Sequence, residues 1–365
     1  MQWRAGTVLE ELRRWPGAVE YTVALEGDEA PTVRALAYTA MVGEPRVRER
    51  VLLNASALLK GLGTGGLAFV VARPEQLPPD PPDGPGHIVK ARYTPMQQVL
   101  LAVDEQDSPY HGDLTVADDL GGMPVVVADL HSALPAVLAG IRLTRPDARV
   151  AYLMTDGGAL PSAFSRAVAG LATAGWLSST ITVGQAFGGD HEAVTTHTGL
   201  LAARHVVAAD VAVVVQGPGN VGTGTRWGFS GVACADVLHA AEVLGGRGIA
   251  SLRVSGADPR ERHRGISHHS RTAYGRALLT PADVPVTALP DAALDALVRE
   301  QLADLVADAR AQLTPVEVSP GGLLEALADS PVRLSTMGRN LAEDPAPFLE
   351  AAAAGRHAAA ISGRP

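Results

Sequence analysis

One cysteine, Cys234, is all that the 365 residues contain. That excludes an intrachain disulfide and any metal site built from several thiolates. A single cysteine in a helical stretch reads as a small buried side chain. Aromatic residues are scarce, at 4%, so alanine, valine, leucine and glycine must fill the interior. A basic excess is also missing: 39 Asp and Glu face 30 Lys and Arg, for a net charge of −9. Phosphate contacts need a basic face, so no nucleic-acid partner is expected. No apolar run approaches the ~18 residues a membrane span needs, and the first residues carry no basic-then-apolar leader. No membrane partner is expected, and the expected setting is the cytoplasm.

Hydrophobic residues make up 47% of the chain and charged ones 19%, the balance of a globular protein. The length admits two domains. Residues 1–115 read as a β-rich, barrel-like domain. Its strands are Val19–Leu25, Val33–Met41, Arg50–Asn54, Leu67–Ala72, Ile88–Tyr93 and Gln97–Val103. Gly27-Asp28 supplies a turn, and Gly61-Leu-Gly-Thr-Gly-Gly66 reads as a tight glycine turn before a phosphate cradle. Residues 123–285 then repeat strand and helix five times, with strands at 124–128, 149–154, 179–183, 211–216 and 249–254. That alternation predicts an α/β fold, a Rossmann-like three-layer domain with a parallel sheet. Residues 286–365 read as a helical extension packed on it. The amphipathic helix Asp291–Leu313 suits packing in preference to a homodimer interface.

Ligands of an open parallel sheet bind outside the carboxyl ends of its strands. Each of the five strands is followed there by a polar or glycine-rich segment, while the opposite connections are plainer. The segments carry Asp129 and His131; Asp156; Asp190 and His191; Gly217 to Thr225; and Asp258 to Ser270. The last holds three arginines, three histidines and two acids in thirteen residues. Gly217, Gly219, Gly222, Thr223, Gly224 and Thr225 form a candidate anion cradle. It is not a clear nucleotide motif: the acid expected about 20 residues beyond a dinucleotide fingerprint is missing, so NAD is not expected, and Thr223 stands where a P-loop needs lysine. Arg260, Arg262 and Arg264 alternate, so in an extended segment they would share one side and grip an anion. His268 and His269, at a helix start, together with Asp156 and Asp190, are the candidates for acid–base work. Asp129, His131 and His191 are candidate ligands of a divalent metal.

The chain resembles an uncharacterised bacterial family, a conserved domain of unknown function. The resemblance rests on Leu62-Gly-Thr-Gly-Gly66, Met154-Thr-Asp-Gly-Gly-Ala-Leu-Pro161, Ala186-Phe-Gly-Gly-Asp190, Gly217-Pro-Gly219 with Gly222-Thr-Gly224, and Arg262-His-Arg-Gly-Ile-Ser-His-His269. It covers nearly the whole chain, with Met337-Gly-Arg339 a further element. It implies no activity, substrate or cofactor. From the residues, two functions are expected in order: a hydrolase or group transferase for a small anionic, phosphorylated metabolite, then a non-catalytic module binding a nucleotide or phosphometabolite. Both share one premise, that the residues around Asp129, Asp156, Asp190, Gly219 and His268 converge in one cleft. Bound metal with ligand turnover would favour the enzyme, and ligand stabilisation without turnover the binding module.

Overall fold

The computed structural model describes residues 1–27 and 31–363. The chain divides into two compact units. The first comprises Met1–Gly84 with Ala163–Ala169, and the second holds the remainder.

The first unit is a closed five-stranded barrel. Its strands are β1 (Trp3–Trp15), β2 (Ala18–Leu25), β3 (Thr32–Tyr38), β4 (Arg50–Asn54) and β5 (Ala68–Ala72). β1 was not expected. Two register shifts interrupt its pairing with β2, and its second half is largely exposed, so no clean alternation marks it. Closure runs through β3 and β5, which are parallel, and through β1 and β4, which are antiparallel. Gly61, Gly65 and Gly66 have φ between 64° and 73°, the left-handed conformation that explains a glycine-rich turn. Asp28 of the Gly27-Asp28 turn lies outside the described residues. Ala18, Leu36 and Leu67 form a buried cluster with Trp15, Phe69 and Phe164 packed against it.

The expected barrel strands after residue 85 belong to the second unit. There β6 (Ile88–Lys90) and β7 (Gln98–Leu100) form a separate antiparallel hairpin. Its Lys90 is 1% exposed. The ammonium donates to the backbone oxygens of Thr182 (3.0 Å) and Ala186 (2.8 Å) and pairs with Glu192 at 2.7 Å. Burial lowers the lysine's pKa, with Glu192 opposing. The hairpin therefore fastens onto one flank of the main sheet.

That sheet comprises β8 (Pro124–Ala128), β9 (Val150–Thr155), β10 (Ser179–Thr182), β11 (His191–Glu192), β12 (Val211–Gln216), β13 (Arg247–Ala250), β16 (Ala282–Thr287) and β17 (Leu313–Val318). β14 (Val254–Ser255) and β15 (Gly265–Ile266) pair separately. The order is β11-β10-β9-β12-β8-β13-β16-β17, and all its pairs are parallel. Four of the five expected strands are present, and the fifth, expected over 249–254, breaks into β13 and β14. β16, at the border of the two spans, was not expected, and β17 corrects the reading of 286–365 as helical. Pro285 and Pro315 disguised them, since proline removes a ladder donor. β17 is an edge strand, and β13 reaches β16 only at Ile249↔Asp283, so Pro285 lies beyond the short neighbour.

Helices cover both faces. Leu134–Thr144 and Ala346–Ile361 pack together over one face, while Thr196–His205 and Cys234–Val243 pack together on the other. The alanine run of the last helix permits close approach. A Cβ on Gly140 would overlap the Ala352 carbonyl, and one on Gly355 would overlap the Val137 carbonyl. In the same helix Glu350 is fully buried, and burial pushes its carboxyl from 4.5 up to about 8 against a smaller pull from the Thr287 backbone. The folded chain thus holds a proton that the unfolded chain releases above 4.5. Stability should fall as pH rises between those values, by up to about 1.4 kcal/mol per unit, and level off above them. Glu350→Gln should remove this part of the slope in urea denaturation followed from about pH 5 to about pH 9. An unchanged slope would assign it elsewhere.

Candidate functional site

The chain reverses its direction of travel across the sheet beside β8. From β8 it runs outward to β9, β10 and β11, inserts β12 next to β8, and crosses to β13 on the far side. The connection after β8 passes over one face and the one after β12 over the other, leaving a crevice at their carboxyl ends. Val215 pairs with Ala128, so Gln216 and Asp129 stand side by side at that edge, and the Gln216 amide donates to the Asp129 backbone oxygen at 2.8 Å.

Asp129 is 6% exposed. Its carboxylate lies 3.2 Å from Nδ1 of His269 and 3.5 Å from the Arg253 guanidinium. Burial works against its charge, but these two partners prevail and hold its pKa below the ordinary value. Arg253 also reaches His269 Nδ1 at 3.1 Å. Phe229 lies flat on the His269 ring, with centroids 3.9 Å apart and planes 5° from parallel. His263 joins from the preceding turn, its Nδ1 2.7 Å from the Ser267 hydroxyl. Ser267 caps the helix His268–Thr272 by accepting from the His269 backbone N–H. One turn of π-helix, Ala273–Ala277, continues that helix. Its buried Tyr274 donates to the backbone oxygens of Val127 (3.0 Å) and Ser251 (3.2 Å), which fixes the helix to the ends of β8 and β13.

Ring centroids of His263, His268 and His269 lie 4.4 to 5.1 Å apart. Burial first, then the neighbouring cationic groups, pushes His263 down to about 3 and His268 to about 4, so both rings are neutral near pH 7. Each of the three offers a ring nitrogen, and these atoms lie within 4.8 Å of one another. Nε2 of His268 is buried with no hydrogen-bond partner among the described residues. No other group of three or more His, Cys, Asp and Glu residues among those described is placed to surround an ion.

His268 also forms part of the wall of a cavity of about 410 Å³. Arg226, Arg262, Arg271 and Arg276 line it, with Asp304 and Asp308 opposite. Four guanidinium groups against two carboxylates leave positive charge in excess. Arg276 pairs with Asp308 at 3.4 Å and Arg271 only loosely with Asp304 at 4.0 Å. Nε of Arg271 is buried without a partner among the described residues.

Several expected residues lie elsewhere. β11 re-enters the sheet as an edge strand, and this carries Asp190 and His191 away from the carboxyl ends. Asp190 accepts from the Thr180 backbone at 2.8 Å and from its hydroxyl at 3.0 Å, early in β10. His191 pairs with Ile181 and meets the Tyr110 ring edge-on at 5.6 Å. Asp156 follows β9 but turns toward the next loop, accepting from the Gln185 backbone at 2.9 Å. His131 lies by the crevice, 3.2 Å from both the Gln216 backbone oxygen and the Tyr152 hydroxyl, with burial pushing its pKa down to about 4. The three expected metal ligands, Asp129, His131 and His191, therefore do not form one ion-binding group.

The arginine string is not an extended comb. Residues Glu261–His263 make a tight helical turn. Arg260 clasps Asp258 with two bonds of 2.9 Å, and the carboxyl is held well below its usual range. Arg264 is exposed, and only Arg262 reaches the cavity. The glycine loop after β12 closes on itself: Gly222 bridges to Phe229, the Thr223 backbone N–H donates to Gly228, and the Thr223 and Thr225 hydroxyls lie 3.0 Å apart. Gly217 gives close passage to the loop after β9, since a Cβ there would overlap Ala159. Gly219 and Gly224 have φ of 98° and 80°, so turn geometry accounts for them.

Arg226, Arg253, His263 and Phe229 were not singled out. Arg253 sits inside a seemingly continuous apolar run that breaks into β13 and β14. His263 was visible as the third histidine of the string. No curated protein and no solved structure matches the chain. A family model described as "Protein of unknown function (DUF3866)" matches residues 34–355, from within β3 almost to the end of the last helix. The chain belongs to this family of proteins of unknown function.

Proposed function

We propose that the chain is an enzyme, a hydrolase or group transferase, acting on a small anionic, phosphorylated metabolite held in the arginine-lined cavity. One observation carries the reading: Arg226, Arg262, Arg271 and Arg276 share a cavity with His268, whose ring belongs to a cluster at the sheet's carboxyl edge. Arginine forks suit phosphate oxygens, and arginines sharing one cavity bind an anion more firmly than an isolated surface group. His268, kept neutral, has a ring lone pair that can accept a proton. The volume of about 410 Å³ suits a small ligand. The same reading places the protein in the cytoplasm, where such metabolites are abundant. Among the described residues, no helix is long and apolar enough to cross a membrane.

The test is calorimetric titration with inorganic phosphate and a phosphosugar. Saturable binding is expected, weakened about 10-fold or more in the Arg226→Ala/Arg262→Ala double variant, since charge-assisted bonds contribute roughly 1.5–3 kcal/mol each. Both arginines are exposed, so their removal leaves the core intact. No saturation in the wild type, or equal affinity in the variant, would overturn the reading.

A further inference from the structure

We infer that His263, His268 and His269 form a binding site for a divalent transition metal, Zn²⁺ foremost, with Asp129 and Ser267 orienting two of the rings. Three ring nitrogens already lie within 4.8 Å of one another. A tetrahedral ion with bonds of about 2.0–2.1 Å holds its nitrogens roughly 3.4 Å apart, a closure within reach of side-chain rotation. Neutral imidazole suits Zn²⁺ and its neighbours, whereas Mg²⁺ and Ca²⁺ favour oxygen ligands.

The surroundings match what metal-binding histidines require. Such a ring donates its other N–H to a carboxylate, a hydroxyl or a carbonyl, which fixes tautomer and orientation. His269 Nδ1 lies 3.2 Å from Asp129, and His263 Nδ1 lies 2.7 Å from Ser267. Donation from both Nδ1 atoms leaves an Nε2 lone pair on each ring. Arg253 competes for His269 Nδ1 at 3.1 Å, but it also lies 3.5 Å from the Asp129 carboxylate, which can accept from both. Phe229, stacked on His269, holds the plane of that ring. The buried, unpartnered Nε2 of His268 is the third donor. A buried polar atom without a partner is uncommon and calls for an explanation, and an ion supplies one.

The site goes beyond the anion reading and does not depend on it; with His268 Nε2 bound to the ion, that nitrogen no longer serves as a base, and a bound water would take that role. Three protein ligands leave one position of a tetrahedral ion open. Because His268 borders the arginine-lined cavity, an ion held by these rings would lie near any anion bound there.

The test uses the full chain, stripped with a chelator, dialysed, and titrated with Co²⁺ and then Zn²⁺ in phosphate-free buffer. One Co²⁺ should bind per chain with the visible absorption of a four-coordinate ion, and one Zn²⁺ should displace it. His268→Ala should lower affinity by on the order of 100-fold or more, because loss of an outer partner alone costs about 10–100-fold. His191→Ala, remote from the cluster, should bind as wild type does. Circular dichroism confirms that the variants are folded. Independently of any variant, Zn²⁺ should shift the imidazole nitrogen resonances of His263, His268 and His269 in the wild type. Absence of saturable binding, unchanged affinity in folded His268→Ala, or shifts confined to other histidines would overturn the assignment. Failure here leaves phosphate binding as a separate question, and failure of phosphate binding leaves this one standing.

Discussion

Gly355→Ala should destabilise the second unit by at least about 3 kcal/mol, and Gly140→Ala by a similar amount. The sign is the informative part. In an exposed helix interior, replacing glycine by alanine gains about 1 kcal/mol. Here the added methyl meets a carbonyl of the partner helix: Val137 from Gly355, and Ala352 from Gly140. These atoms are backbone, so no rotamer change relieves the overlap and the helices Leu134–Thr144 and Ala346–Ile361 must separate. Ala351, Ala352, Ala353 and Ala354 are all 0–1% exposed, so separation would open a gap along a packed face. Urea denaturation should therefore show midpoints well below wild type for both variants, with Gly355→Val worse still. A gain in stability would mean that the two helices do not meet as described.

His268→Ala should lower kcat for the phosphorylated substrate by about 10²- to 10⁴-fold, the usual contribution of a positioned acid or base, with little change in melting temperature. The ring is half-buried and its Nε2 makes no hydrogen bond within the described chain, so little structure depends on it. His269→Ala should also lose turnover, but it should cost stability as well. Its removal takes a partner from buried Asp129 and a stacked ring from Phe229, a loss of roughly 1–3 kcal/mol. The sequence makes the two histidines look equivalent, and the structure separates them. If His268→Ala retained full turnover, proton transfer and metal ligation by that ring would both be excluded from the reaction.

Much of the architecture was legible because β8, β9 and β12 are short apolar runs and helical periods separate the successive strands. That pattern forces a parallel sheet with covered faces. Strand order was not legible, since it depends on which faces the crossovers take. β16 and β17 were hidden by Pro285 and Pro315, and β1 by its two register shifts. Asp129, His268 and His269, singled out because carboxyl-end segments carry ligands in such folds, do lie together. The same rule singled out Asp190 and His191, which lie apart from that cluster: the two-residue strand β11 is too short to announce itself, and it returns the chain to the sheet. Asp156 stands after the right strand but turns to the neighbouring loop. Glycines drew attention to the loop after β12, although turn geometry and close packing explain the glycines and its Arg226 is what lines the cavity. Alternation suggested that Arg260, Arg262 and Arg264 act together. One helical turn and the clasp of Arg260 on Asp258 leave only Arg262 there.

The most direct measurement is turnover of a panel of phosphorylated metabolites by the purified wild-type chain, with and without added Zn²⁺, beside the Arg226→Ala/Arg262→Ala variant. The expected result is release or transfer of the phosphoryl or another group from at least one panel member, with KM raised about 10-fold or more in the variant. Ligand-induced stabilisation without turnover would assign the cavity to a binding module. Neither binding nor turnover across the panel, with the arginines intact, would contradict the account.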